Sequence, residues 1–391
     1  MSDRPGFYGY RRSDGRIGTR NHVLVVPTVI CSSVVAERVA AATQPIGTAV
    51  PHLAGCGQLG PDMRVTHDTL AAYCAHPNVG AVVVIALGCE QVVAQMLADS
   101  ARRHGKPVEI VAIQSEGGTV RTTERATAIA KKFADILSAQ PREWCDASEL
   151  VLSLKCGGSD YTSGLASNPT LGRVTDRLVA LGGTAVLGEI AEIMGAEHLL
   201  ASRATQPATA TKLIQIITRV ETEARALGLD IRGTQPSPGN IRGGLTTIEE
   251  KSLGATHKGG EVAALEDVVG YSAPITRKGL TVMDTPGLDV ESVTGMVGGG
   301  AQVVVFTTGL GTPTGNPIAP VIKITGNART ARQMADNIDL DVSGIMDDTE
   351  TLDAAADRLF AEVLDVASGR ETSAERLGHR EFAIHRRNPT I

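Results

Sequence analysis

The chain has 391 residues, a net charge of −6, 42% apolar residues and only 3% aromatics. Its length exceeds one simple core and predicts two domains. Mild acidity without a basic stripe argues against a nucleic-acid partner, and no run of 18 apolar residues is present to span a membrane. The opening MSDRPGFYGYRRSDGR lacks the apolar stretch of a signal peptide. Six cysteines in a chain this long do not suggest a disulfide scaffold, so a reducing cytoplasm is expected. The 43 glycines cluster in short runs, which favour turns and close backbone approach to ligands.

In chain order, HVLVVPTVI (22–30) reads as a buried strand and Ser32–Thr43 as a helix capped by Ser32 or Ser33. AVVVIALG (81–88) and a helix over Gln91–His104 follow, then PVEIVAI (107–113) and a helix over Thr122–Ala139. This alternation predicts a parallel, doubly wound sheet. SAQPREWCDASE (138–149) reads as a polar linker. ELVLSLKCGGSD (149–160) then restarts with a strand and a glycine turn, GGTAVLGE (182–189) adds another, and AEHLLASRA begins a helix. KLIQIITRVETEARALG (212–228) is an amphipathic surface helix. The Gly-rich stretch 233–260 reads as a functional loop region. GLTVMDTPG (279–287) and AQVVVFTTGLG (301–311) are further strand–turn units. The expectation is an α/β protein of two Rossmann-like parallel-sheet units with loop-rich crossings, one over 1–145 and one over 146–391.

Ligands of such sheets bind at the carboxyl ends of strands. Cys89-Glu90, Cys156, Asp160, Glu189, Asp284, Thr307 and Thr308 all lie at or just beyond predicted strand ends. Any one of them can equally be a turn or helix cap. His52 and Cys56 stand four apart in HLAGCG, and Cys89 and Cys156 follow similar turns. Three thiolates with an open position suit an iron–sulfur cluster or a mononuclear iron or zinc site, although a free cysteine is also a favoured small core residue. Cys74 and Cys145 lack that context and read as structural. Glu189, Glu192, Glu197 and His198 are dense enough for acid–base work, or else form an acidic helix start. TGLGTPTG (308–315) lacks a complete dinucleotide fingerprint, so no nucleotide cofactor is expected.

The blocks GYRRSDGRIGTRN, AGCGQ, IALGCE, LKCGGSDYTSG, NPTLG, IMGAEHLL, PSPGNIRGGLTTIEEKSLGA, KGG, MDTPG and SVTGMVGGGAQVVVFTTG together resemble the altronate and galactarate dehydratases, from about Gly9 to Met346. The resemblance implies a lyase that removes water from a 2,3-dihydroxy acid to give a 2-keto-3-deoxy acid. It implies iron, as Fe2+ or an iron–sulfur cluster, with Mn2+ as the alternative. A related branch, the beta subunit of sulfolactate sulfo-lyase, implies release of sulfite and pyruvate instead. Water loss ranks first here and sulfite loss a close second. The chain begins almost directly at GYRRSDGRIGTRN, whereas single-chain dehydratases carry a small β-clip domain before it. A separate small β-clip subunit is therefore expected, in a homo- or hetero-oligomer. TPTGNPIAP (312–320) departs from the altronate pattern, and residues 350–391 add little.

Elimination from a hydroxy acid needs a base for the C2 proton, stabilisation of an enediolate and an acid for a poor leaving group. The expected catalytic residues are Glu189, His198 and Lys251, in that order as base, with Asp160. Arg16 and Arg20, with Ser159, Asn240, Thr285 and Thr308, are expected to bind substrate, and His52, Cys56, Cys89 and Cys156 to bind the metal. A non-catalytic ligand-binding subunit is the alternative of another class; it would not need iron.

Overall fold

The computed structural model describes residues 4–391. Two parallel sheets organise it. The first contains β3 (His22–Pro27), β4 (Gly47–Ala49), β5 (Val79–Ala86) and β6 (Val108–Ala112), in the order β4-β3-β5-β6. Before it, β1 (Gly6–Arg11) and β2 (Ile17–Gly18) form an antiparallel pair, and β7 (Glu143–Asp146) pairs antiparallel with the other edge of β1. The second parallel sheet contains β8 (Val151–Cys156), β9 (Thr184–Leu187), β10 (Leu265–Val269), β11 (Gly279–Met283), β12 (Val303–Thr307), β13 (Val321–Thr325) and β14 (Leu340–Asp341). Its order is β10-β11-β9-β8-β12-β13-β14, parallel throughout. The protein is an α/β fold.

Burial explains the sequence pattern. All eight residues of β5, VGAVVVIA, are buried, because helices cover both faces of the sheet and leave no side for polar alternation. Val23, Val25, Val83 and Ile85 pack under the helices Ile30–Ala41 and Thr119–Ser138. On the other face, Leu24, Val26, Val82 and Val84 share a core with Val304, Phe306 and Val321 of the second sheet. The two sheets are thus joined by continuous apolar packing. The largest core surrounds β8, β9 and β12 and takes in Leu359, Phe360 and Val363 of the helix Leu352–Ala367. The region after 350, uninformative in the sequence, is structural.

Three local expectations are corrected. The segment 138–149 is not a free linker: it completes β7 and a short 3-10 turn, held by pairing with β1. The stretch 233–260 is not an open loop but contains the helices Ile231–Thr234, Pro238–Arg242 and Ile248–Thr256. Ser237 and Thr247 cap the last two, each accepting a backbone N–H bond. The helix after β3 starts at Ile30 rather than at Ser32, and the Ser32 hydroxyl donates to the Val29 carbonyl instead of capping.

Candidate active site

From β8 the second sheet grows through β9, β11 and β10 on one side and through β12, β13 and β14 on the other. The carboxyl ends of β8 and β12 therefore border the crevice where α/β sheets bind ligands. Cys156 ends β8, and the Gly157 amide donates to the Thr307 carbonyl at the end of β12 (3.1 Å). Glu189 follows β9 in a left-handed conformation, φ 68° and ψ 67°. A side chain there costs about 1–2 kcal/mol, so the surroundings must hold it. They do: the Glu189 amide donates to Thr285 Oγ1 (2.7 Å), which is itself 2.7 Å from Ser292 Oγ. Glu192 lies on the short helix Ile190–Ile193 that follows.

These turns bring together charges far apart in sequence. Lys155, fully buried, pairs with Glu189 Oε1 and reaches Asp289 Oδ1 at 2.7 Å. The Lys258 ammonium lies 2.5 Å from Cys156 Sγ, 3.3 Å from Glu189 Oε2 and 3.9 Å from Glu192 Oε2. Cys156 Sγ donates to Glu192 Oε2 (2.8 Å). Lys251 closes the group, 3.3 Å from Glu192 Oε1 and 3.1 Å from Gln235 Oε1. The Asp289 side chain is 33% exposed, so the cluster opens to solvent on that side.

Burial and neighbours push the two glutamates apart. Burial, reinforced by the negative charge of Glu192, raises the Glu189 carboxyl above its usual range, against the pull of Lys155 and Lys258. Burial also opposes the charge of Glu192, but Lys251, Lys258 and Lys155 outweigh it and hold that carboxyl at about 2. Burial would lower both Lys155 and Lys258; their acidic neighbours reverse this and raise them. The Cys156 thiol is pushed up by burial and then by Glu192. Neighbouring carboxyls with opposed shifts are the arrangement by which one site holds an acid–base group beside a fixed charge.

Of the sequence-predicted residues, Glu189, Glu192, Cys156 and Lys251 meet here, with Thr285 positioning Glu189. Asp160 lies in the turn beyond β8. Its carboxylate accepts from Thr162 Oγ1 (2.7 Å) and Asn327 Nδ2 (2.8 Å), and Gly309 packs so closely that a Cβ there would strike it. Asn240 Nδ2 donates to the Ser159 carbonyl (2.8 Å), and Thr308 Oγ1 accepts from the Gly311 amide (2.9 Å). These three tie the loops around the crevice to one another. His198 is exposed on the short helix Glu197–Ala201, and Glu197 pairs with Arg232. Arg16 pairs with Asp14, and Arg20 grips Glu375 and the carbonyls of Val366 and Arg370. Both arginines are engaged away from the cluster. Lys155, Lys258 and Asp289 were not anticipated. Their signal was present only as position: Lys155 precedes Cys156, and Lys258 lies in the KGG block.

The expected metal ligands part company. Among the described residues, only Cys156, Glu189 and Glu192 bring three donor atoms within 4.8 Å of one another. There, three carboxyl groups already face three ammonium groups, so a divalent cation would enter a site whose charge is balanced. That donor set fits a metal poorly. Cys56 and Cys89 are exposed on loops of the first sheet. His52 has both ring nitrogens engaged, Nε2 with the Pro27 carbonyl (2.8 Å) and Nδ1 with the Ala54 amide (3.2 Å), which organises the loop rather than offering a free ligand.

Residues 9–138 match the family model described as D-galactarate dehydratase/altronate hydrolase, second domain, and residues 147–390 match D-galactarate/altronate dehydratase, C-terminal. The (2R)-sulfolactate sulfo-lyase subunit beta of Chromohalobacter salexigens is 42% identical, over 97% of both chains. The altronate dehydratase of Bacillus subtilis is 34% identical over 98% of this chain and 78% of its own. The galactarate dehydratase (L-threo-forming) of Escherichia coli is 34% identical over 97% of this chain and 76% of its own. These relatives are carbon–oxygen lyases and a sulfo-lyase subunit, and no helix among the described residues is long and apolar enough to cross a membrane. With both family models matched and relatives aligned along nearly its whole length, the chain belongs to the D-galactarate/altronate dehydratase family of lyases.

Proposed function

We propose that this chain catalyses β-elimination from a small 2-hydroxy carboxylate, forming a 2-keto acid. The observation that carries the reading is Glu189: a buried carboxyl with raised proton affinity, gripped by two lysines at the switch point of the sheet. In its carboxylate form Glu189 takes the C2 proton; its raised proton affinity makes it the stronger base of the two glutamates. The electron pair released from C2 forms the double bond as the bond from C3 to the leaving group breaks. In this reading Lys155 and Lys258, which grip Glu189, stabilise the enediolate charge as it develops. The enol product then ketonises. Glu192, held ionised, keeps Lys251 and Lys258 in place.

Sulfite is the leaving group we favour, supported by the sulfo-lyase relative that aligns along 97% of both chains. Water is the second reading, supported by the dehydratase relatives. Hydroxide needs protonation to leave, and in this second reading Lys258 donates that proton. The designation of the Chromohalobacter protein as a subunit beta supports a second, smaller subunit as partner. Six free cysteines are consistent with work in a reducing cytoplasm, and iron is the cofactor we expect.

The test is to offer sulfolactate, altronate and galactarate under anaerobic conditions with ferrous iron and the partner subunit, measuring keto acid and sulfite. Keto acid with equimolar sulfite supports the first reading, and keto acid without sulfite the second. No keto acid from any hydroxy acid in a broad panel rejects both.

A further inference from the structure

The segment 379–391 forms no helix and only one strand-like bridge, yet it is tied to both halves of the molecule. Phe382 and Ile384 pack against the core shared by the two sheets, and the Phe382 and Tyr73 rings meet nearly at right angles, 4.9 Å between centroids. The buried carboxylate of Asp62, on the helix Gly60–Ala75 between β4 and β5, accepts the amides of Arg387 (3.1 Å) and Asn388 (2.8 Å). The Ile391 amide donates to the Gly57 carbonyl (2.8 Å). Arg387 also pairs with Glu223 (3.2 Å), on the helix Pro207–Ala226 of the other half.

Between these anchors, His385 reaches the helix Asp289–Gly298. Its Nδ1 lies 2.7 Å from Glu291 Oε2, and both side chains are mostly shielded, 19% exposed each. Arg387 Nε donates to His385 Nε2 (3.3 Å), which leaves Nδ1 to donate to Glu291. Tyr271 adds a second tie: its hydroxyl donates to the Glu291 carbonyl (2.8 Å) and accepts the His385 amide (3.4 Å). Thr294, three residues after Glu291 and so on the same face, accepts the Ala383 amide at Oγ1 (3.3 Å).

At about 3.6 residues per turn, positions 289 and 292 of this helix face nearly away from 291 and 294. That other face holds the Glu189 cluster. Asp289 reaches Lys155 at 2.7 Å and packs over the turn after Cys156, where a Cβ on Gly157 would meet its carboxylate oxygens at 2.7 and 2.9 Å. Ser292 Oγ lies 2.7 Å from Thr285 Oγ1, which accepts the Glu189 amide. A helix gripped on one face fixes what its other face presents. We propose that His385 is a positioning residue for the Glu189 cluster: by holding Glu291, it fixes the helix whose Asp289 covers the mouth of the cluster and whose Ser292 braces the Glu189 turn. The consequence for turnover rests on the elimination reading of that cluster; the grip on the helix does not. His385 touches none of the reacting groups. A misplacement of about 1 Å can cost on the order of 10²-fold in rate, and here it is the base that moves, so the loss falls on kcat.

The experiment compares wild type, His385→Ala, His385→Asn, Asp62→Ala and, as a control at an exposed position of the same segment, Arg386→Ala, each as the full chain. Iodoacetamide alkylation of the folded protein is followed cysteine by cysteine by peptide mass spectrometry. Cys156 should react slowly in wild type and about tenfold faster in His385→Ala, the change expected from losing a hydrogen bond to a charged group. Asp62→Ala frees the segment from its other anchor and gives the same reading should His385→Ala fail to fold. The buried Cys74 and Cys145 should stay protected, and Arg386→Ala should match wild type. In His385→Asn the amide replaces Nδ1 as donor to Glu291, so protection of Cys156 should largely return. With the partner subunit and ferrous iron, kcat of His385→Ala should fall about tenfold or more with KM little changed, and His385→Asn should recover most of it. No gain at Cys156 in the folded variants, or an equal gain at Cys74 and Cys145, would overturn the proposal, as would an unchanged kcat. Alkylation is read without turnover: an inert wild type would reject the elimination reading, while the cysteine rates still decide whether His385 holds the helix.

Discussion

The Lys258 ammonium lies 2.5 Å from the Cys156 sulfur, although 102 residues separate them in the chain. Lys258 and Cys156 are both buried, and both also contact a glutamate. The thiol is therefore part of a charged network, and its proton affinity is tied to that of the carboxyls. Changes at any member should be felt by the others more strongly than their separate effects would suggest.

Glu189→Gln preserves size but removes the base. We expect kcat to fall by about 10²–10⁴-fold, the usual contribution of a positioned proton-transfer group. Keto-acid release under saturating substrate measures it. A variant within twofold of wild type would reject Glu189 as the base.

Lys155→Met keeps the volume and deletes the charge. It leaves Glu189 and Asp289 without their closest ammonium. Breaking a buried pair by removing one partner costs about 3–5 kcal/mol. Denaturant unfolding should show a loss of that order. Lys155→Met with Glu189→Gln should recover part of it, because the buried one of the two stranded carboxylates is then neutral.

Arg20→Gln should destabilise without affecting substrate affinity. Arg20 is buried and donates two bonds to Glu375, 2.7 Å and 2.8 Å, besides three to backbone carbonyls. Losing hydrogen bonds to a charged group costs about 1.5–3 kcal/mol. The measurements are thermal unfolding and KM; a raised KM with unchanged stability would return Arg20 to the substrate site.

Acid sensitivity should include a step from His22. Burial, followed by the charge of Arg20, lowers this imidazole to about 4 from the usual 6.5. The unfolded chain then binds a proton that the folded chain refuses, so stability falls as pH drops from about 6.5 to about 4 and no further below. His22→Gln should flatten that part of the curve. Glu192 acts in a lower window: held at about 2, it stabilises the fold above its unfolded value and loses that contribution as pH falls towards 2. Stability curves of wild type and His22→Gln that coincide between pH 4 and 6.5 would remove His22 from the account.

The β-branched runs HVLVV, AVVVIA and QVVVF announced β3, β5 and β12 because a strand covered on both faces needs nothing but apolar side chains. The same logic placed Glu189 and Cys156 at strand ends, where ligands bind. The strands β4, β10, β13 and β14 escaped notice: they are short or interrupted by polar residues such as Lys323, and only pairing with a neighbour makes them strands. The linker expected at 138–149 became β7 for the same reason, since its partner β1 lies more than a hundred residues away. The sequence by itself determined the α/β rhythm and the chemistry available at each turn. Tertiary structure decided which turns meet. It sent Cys156 to the lysines and left Cys56 and Cys89 exposed on loops of the first sheet, because strand order within a sheet sets which carboxyl ends are neighbours, and local residue pattern does not encode that order.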